Sequence, residues 1–412
     1  MDDFNRDVLV IGGGPAGLMA ALQASNKGAS VAIVEKNKFL GRKLKLTGKG
    51  RCNVTNEEPD INNLVDAYAN GKFLFSAFSQ FNNLDLIKFF KKNGIKLKTE
   101  RGNRVFPISD DSQEIISFFK KELSKNKVSL LTEEKVEKIN LENNTIVSVI
   151  TSKRKIVPKK VIICTGGRAY PITGSDGNLN EEIENLGHTI TKQLPALIPL
   201  ETLENTNHLK GLALKNVEIS VKNKNKKTNK HFGEVLFTHF GLSGPAVLLM
   251  SRDVVLKLEK QNKITISIDL KPALSFEQLE NRLLRDFEEN KNKDIKTYAK
   301  ELVPKSLINE FVHRSLQANK KVHSITKEER HNIINVLKNF DFTVFRSLPF
   351  EYAIVTQGGV NLKEVDQKTM QSKIISNLYF AGEILDIDGK TGGYNLQACW
   401  TTGYIAGNSA VN

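Results

Sequence analysis

Asp7-Val8-Leu9-Val10-Ile11 runs directly into Gly12-Gly13-Gly14-Pro15-Ala16-Gly17, and a second apolar run, Ser30-Val31-Ala32-Ile33-Val34, closes on Glu35. The first run reads as a buried parallel strand. Gly12 permits the tight turn that follows, Gly14 lets the backbone approach a pyrophosphate, and Gly17 lets the next helix pack close to the sheet. Pro15 and Ala16 open a helix predicted over 15–27, whose first amides and positive dipole end face the phosphates. Glu35, followed by Lys36, stands where an acid holds a ribose hydroxyl pair. A lone Gly-x-Gly-x-x-Gly is most often a structural turn. Here strand, glycines, helix, second strand and acid arrive in order, which makes the segment a dinucleotide-binding βαβ unit.

The remainder of the chain separates FAD from NAD. No second glycine fingerprint follows, so this single site must hold the main cofactor. Val161-Ile162-Ile163-Cys164-Thr165-Gly166-Gly167 is another buried strand that ends in small residues. Leu378-Tyr379-Phe380-Ala381-Gly382-Glu383 is a third, with Asp386 and then Gly392-Gly393-Tyr394-Asn395 beyond it. A helix starting near Leu396 would aim its N-terminal amides at the pyrimidine edge of a flavin, where charge accumulates on reduction. The expected fold is α/β: a Rossmann-like FAD-binding domain of the GR2 type, completed from both ends of the chain around an insert.

Gly41-Arg42-Lys43-Leu44-Lys45-Leu46-Thr47-Gly48-Lys49-Gly50-Arg51-Cys52-Asn53-Val54-Thr55-Asn56 is long and unlike generic FAD proteins. It resembles the HI0933-like flavoprotein family, also called aminoacetone oxidase/BaiN-like. Further blocks agree in order: Arg104-Val105-Phe106-Pro107, Tyr170-Pro171, Leu236 to Pro245, Val355 to Val360 and Leu378 to Gln397. The resemblance implies FAD and adds Arg42, Lys43, Thr47, Gly48, Arg51, Asn53 and Val136 to the expected cofactor contacts. Two departures stand out. Gly174-Ser175-Asp176-Gly177-Asn178 replaces a longer family loop, so no site is expected over 174–180. Cys399 stands where small residues are usual and is given no role.

With 412 residues the chain is too long for one core. Expected boundaries are an FAD-binding part at 1–190, a β-rich barrel-like insert at 191–270, a helical subdomain at 271–338, a return strand at 339–355 and the closing FAD-binding part at 356–412. Leu212 to Val221 and Glu234 to Phe237 read as a hairpin with a basic tip. Ser275-Phe276-Glu277-Gln278 and Thr326-Lys327-Glu328-Glu329 are capping boxes, and Pro304 starts a helix with Leu307, Ile308 and Phe311 on one face. A composition of 40% hydrophobic and 26% charged residues is that of an ordinary soluble protein. No apolar stretch reaches a membrane span, and no signal peptide is expected ahead of the first strand. Three widely spaced cysteines form neither a metal pattern nor a disulfide framework, so a cytoplasmic location without metal is expected.

Sixty Lys and Arg against 46 Asp and Glu leave a net charge of +14. Lys222, Lys224, Lys226, Lys227 and Lys230 crowd the hairpin tip, and further clusters lie over Lys91 to Arg104 and Lys153 to Lys160. Any one cluster reads as a solvated face, but the sum favours a polyanionic partner, here ribosomal RNA. The resemblance implies three chemistries: reduction of steroid-like enones, oxidation of aminoketones, and conversion of uridine to dihydrouridine in large-subunit ribosomal RNA. Uracil is itself an enone, so the first and third are one reaction, needing a donor at the carbonyl oxygen and a general acid. Cys52, Arg104 and His239 are the candidates, Cys52 with a thiol expected to be acidified by Lys49 and Arg51. NAD(P)H is the expected electron donor. The alternatives are a small-molecule flavoenzyme, and a non-catalytic flavin-bearing RNA-binding or redox-sensing protein.

Overall fold

Phe4–Ile11 forms strand β1, Pro15–Asn26 helix α1 and Val31–Glu35 strand β2 of a parallel pair in the computed structural model, which describes residues 4–223, 226–316 and 318–411. Every residue of α1 from Ala16 to Ser25 is buried. A helix apolar on all sides is a core helix, and the helices Tyr394–Ser409 and Ser112–Lys125 pack on it. β1 also pairs in parallel with Lys155–Ile163, and that strand with Leu378–Phe380, so chain segments far apart in sequence meet on one sheet. Ser129–Thr132 extends the sheet beyond β2. Two antiparallel strands, Thr145–Thr151 and Val136–Glu142, extend it on the other side. These elements belong to the first unit, Met1–Ala196 with Phe350–Asn412.

The second unit, Leu197–Pro349, contains a closed barrel of six strands. Ala213–Asn223 and Lys226–Phe237 form its long hairpin. The second arm starts earlier than the apolar pattern predicts, because ladder hydrogen bonds to the first arm hold the polar stretch Lys226 to Gly233 extended whatever its side chains. Ile264–Asp269 and Phe340–Ser347 complete the ring with the short strands Leu200–Thr202 and Gly241–Ser243. Both capping boxes form. Ser275 and Gln278 bond reciprocally at the start of Phe276–Glu289, as do Thr326 and Glu329 at the start of Lys327–Lys338. Leu279, Leu283, Ile333 and Leu337 from these helices, with Phe311 of the helix Ile308–Leu316, share one core with Ile266, Ile268 and Phe342 of the barrel.

In the first unit, buried His188 sits 2.9 Å from Ser372 Oγ and 3.2 Å from Glu364. The Ser372 oxygen already accepts the Ile374 and Ile375 amides. Its proton therefore goes to His188 Nε2, and Nδ1–H donates to Glu364: a neutral histidine in a structural turn. Burial lowers the His188 pKa from its ordinary 6.5. A histidine whose folded pKa is depressed contributes stability that is complete above about 6.5 and declines as pH falls through that value. His188→Gln should therefore lower the thermal midpoint relative to the natural protein more at about pH 7.5 than at about pH 5.5. A gap that stays constant across that range would contradict the assignment.

Candidate functional site

A cleft opens in the first unit at the end of β1. Gly12 turns the chain with φ +106°. A Cβ on Gly17 would lie 1.9 Å from the Gly12 carbonyl oxygen, so α1 meets β1 backbone to backbone. A Cβ on Gly14 would meet nothing within 4 Å. No side chain caps α1, leaving the amides of its first turn to a ligand.

Around this cradle the cleft is lined by Gly12, Gly14, Pro15, Ala16, Glu35, Lys36, Arg42, Lys43, Thr47, Val136, Thr165, Gly166, Gly382, Glu383, Asn395 and Leu396, all expected from the sequence. Glu35 is held by the Gly13 amide at 2.8 Å and by the backbone and side chain of Asn37 at 2.8 and 2.6 Å. Asn37 also accepts from Arg42 at 2.6 Å and donates to the Thr173 carbonyl at 3.1 Å. Lys43 pairs with Glu383 at 2.7 Å, and the other Glu383 oxygen accepts the Thr356 amide. Lys36 pairs with Asp176 at 2.7 Å. Two lining hydroxyls, Thr165 Oγ1 and Ser175 Oγ, are buried with no hydrogen-bond partner. Buried polar atoms left without partners are costly. Orphaned hydroxyls, an uncapped helix and the open space over Gly14 fit a phosphate-bearing dinucleotide such as FAD.

The sequence missed part of this wall. Asn37, Phe39 and Cys399 line the cleft, and so do Gly174, Ser175, Asn178 and Leu179 from the loop where no site was expected. The one available signal there was the Gly-Ser-Asp-Gly turn following a buried strand.

Other expected contacts lie elsewhere in the first unit. Arg51 binds Glu100 at 2.7 Å and Asp110 at 3.4 Å, with its guanidinium 4.1 Å from the Phe106 ring centroid. Asn53 Oδ1 is buried without a partner. Gly167 packs against Thr356, Asp386 accepts the Gly358 amide, and the Gly392 carbonyl accepts from Asn56. The Tyr394 carbonyl accepts the Tyr68 hydroxyl, and Gly393 turns into the closing helix at φ +104°. Gly48, Lys49, Gly50 and Cys52 all take left-handed backbone within one pentapeptide. Strain of that kind persists only where the surroundings over-determine it; here the Arg51 ion pairs fasten the loop.

Of the catalytic candidates, Cys52 is fully buried and its thiol is pushed up to about 12. The expected acidification by Lys49 and Arg51 is thus overturned: loss of water around the sulfur dominates, opposed only by the Thr47 hydroxyl. Arg104 is 44% exposed, 3.9 Å from Glu100 and bonded to the Arg101 carbonyl. His239 belongs to the second unit, exposed in the turn between Lys226–Phe237 and Gly241–Ser243, its ring edge-on to Phe240. The basic hairpin is partly neutralised: Lys222 pairs with Asp341 at 2.7 Å and Lys230 with Glu218 at 2.9 Å. The backbones of Lys226 and Lys227 pair with Asn223 and Lys222, and Lys224 lies outside the described residues. Among the described residues no helix is long and apolar enough to cross a membrane.

The profile of the HI0933-like protein Rossmann domain matches residues 6–409. A 3-dehydro-bile acid delta(4,6)-reductase of Clostridium scindens is 28% identical over 98% of each chain. So is a ribosomal RNA dihydrouridine synthase of Haemophilus influenzae. The Escherichia coli protein of that name is 26% identical, again over 98% of each. In fold, a 3-ketosteroid delta1-dehydrogenase from Sterolibacterium denitrificans superposes with TM-score 0.54 at 12% identity, covering 99% of each chain.

Two substitutions separate ligand binding from packing. Gly14→Val should fold but lose bound flavin, whereas Gly17→Ala should cost about 1–3 kcal/mol of stability by overpacking. Flavin absorbance per protein and thermal midpoints read both; flavin retained by Gly14→Val would contradict the cradle. Iodoacetamide at about pH 8 should spare Cys52 until the protein is denatured, since the thiolate is the reactive form. Alkylation of Cys52 in the native protein, read by peptide mass spectrometry, would overturn its burial.

Proposed function

The chain belongs to the HI0933-like Rossmann family, and from that membership we propose that it reduces uridine to dihydrouridine in large-subunit ribosomal RNA, with NAD(P)H as electron donor. It is an FAD-dependent oxidoreductase. The observation that carries the substrate reading is the end-to-end match to relatives named ribosomal RNA dihydrouridine synthase, in a chain with a net charge of +14. A relative of equal identity is named for reducing a bile acid intermediate, and its chemistry is the same. When bound, the flavin supplies hydride to the β carbon of a carbon–carbon double bond conjugated to a carbonyl.

The protein's own part is to bind the dinucleotide and to stabilise charge at the substrate oxygen. In this reading the Gly12–Ala16 turn takes the pyrophosphate, Glu35 the ribose, and Asn395 and Leu396 the flavin end. Arg104 is the proposed oxygen donor, because its guanidinium is exposed and its ion pair with Glu100 is long. Cys52 keeps its proton at neutral pH, as a general acid must, yet its burial outside the cleft lining favours a packing role for it. The positive field favours RNA over a small enone, since a small acceptor needs no such field.

Mass spectrometry of large-subunit ribosomal RNA from the host, with and without this gene, tests the substrate. Dihydrouridine should disappear on deletion and return with the intact gene but not with Gly14→Val. Unchanged dihydrouridine on deletion would remove ribosomal RNA as the substrate.

A further inference from the structure

The barrel unit carries an open groove of its own. Phe232 lines it from the strand Lys226–Phe237, opposite Glu218 in the ladder, and is 65% exposed. Lys215 comes from the neighbouring strand, and Lys271 from the turn that leads into the helix Phe276–Glu289. Pro272 and Leu274 form an apolar wall. Among the described residues neither the Lys215 nor the Lys271 ammonium is paired with a carboxylate, although the Lys271 backbone amide donates to Asp269 at 2.9 Å. The groove's own carboxylate, Glu218, is taken by Lys230 at 2.9 Å. Lys271 is partly buried, and burial together with nearby Arg282 lowers its pKa, as expected of a cation lacking a counterion.

An aromatic face open to water in a groove that two lysines without carboxylate partners also line matches single-stranded nucleic acid, in which bases stack and phosphates seek cations. We propose that this groove docks a single-stranded segment of the RNA substrate, a base stacking on Phe232 while Lys215 and Lys271 hold the adjoining phosphates. The proposal rests on the ribosomal RNA reading above and adds to it the protein surface that holds the strand. Phe232 ends the basic run that starts at Lys222, and the pairing of Ala213–Asn223 with both Lys226–Phe237 and Ile264–Asp269 brings Lys215 and Lys271 to the same groove.

The test uses the full-length, flavin-loaded protein and a fluorescein-labelled, uridine-rich single-stranded oligoribonucleotide. Fluorescence anisotropy follows binding over a salt series, and ribosomal RNA dihydrouridine is measured in cells carrying the same variants. Phe232→Ala should weaken binding about tenfold, and Phe232→Trp should preserve it. Lys215→Gln and Lys271→Gln should each reduce the salt slope by about 0.7. An unchanged thermal midpoint and unchanged far-ultraviolet circular dichroism in each variant show that the barrel survives. Binding unaffected by Phe232→Ala, Lys215→Gln and Lys271→Gln overturns the groove, even where the natural protein modifies ribosomal RNA. Groove-dependent RNA binding without any dihydrouridine formation instead overturns the enzymatic reading and leaves the groove standing. If Phe232→Ala alters only sedimentation, the groove joins copies of this chain and the RNA assignment falls.

Discussion

The first unit depends on one backbone contact, the approach of α1 to the end of β1 at Gly17 and Gly12. With only a hydrogen on Gly17, the helix starts close above the strand, and its uncapped first turn opens into the cleft. The same closeness recurs on the other flank of α1. There the helix Tyr394–Ser409 brings Gly403 and Gly407 against the Ala16 and Ala20 carbonyl oxygens. The two chain ends are thereby locked around α1, and the Leu378–Glu383 segment is delivered to the same cleft as Gly12. Cofactor site and core packing are consequences of one geometry.

Most of this geometry could be read from local pattern, because strands, glycines and caps act over a few residues. β1, α1, β2 and both capping boxes follow from spacing alone. What could not be read depends on distant partners. Arg51 sits in the family block beside expected flavin contacts, yet its guanidinium is claimed by Glu100 and Asp110. Cys52 has basic neighbours in sequence, but burial sets its pKa. Asn37 escaped because a single asparagine after a strand carries no pattern that marks its bonds to Glu35, Arg42 and Thr173, and Ser175 because its loop departs from the family's. Phe232 escaped because an aromatic in a polar run has no meaning until the barrel closes.

Net charge is a similarly incomplete guide. The +14 is real, yet Lys222, Lys230, Lys159 and Lys98 each spend their charge on a nearby carboxylate. What counts for a polyanion is which cations remain unpaired and beside what, and by that measure Lys215 and Lys271 outrank Lys222 and Lys230. Enone and uracil pose one chemical problem, so the surface that brings the acceptor to the protein is what separates the two.

The central claim is that reduced flavin in this chain is reoxidised by uridine in ribosomal RNA. The most direct measurement is anaerobic stopped-flow mixing of the reduced protein with an unmodified large-subunit ribosomal RNA transcript, and in parallel with a conjugated ketosteroid. The account predicts rapid recovery of oxidised-flavin absorbance with the transcript, slowed by salt, and dihydrouridine in the recovered RNA. Reoxidation by the ketosteroid but not by the transcript would contradict it.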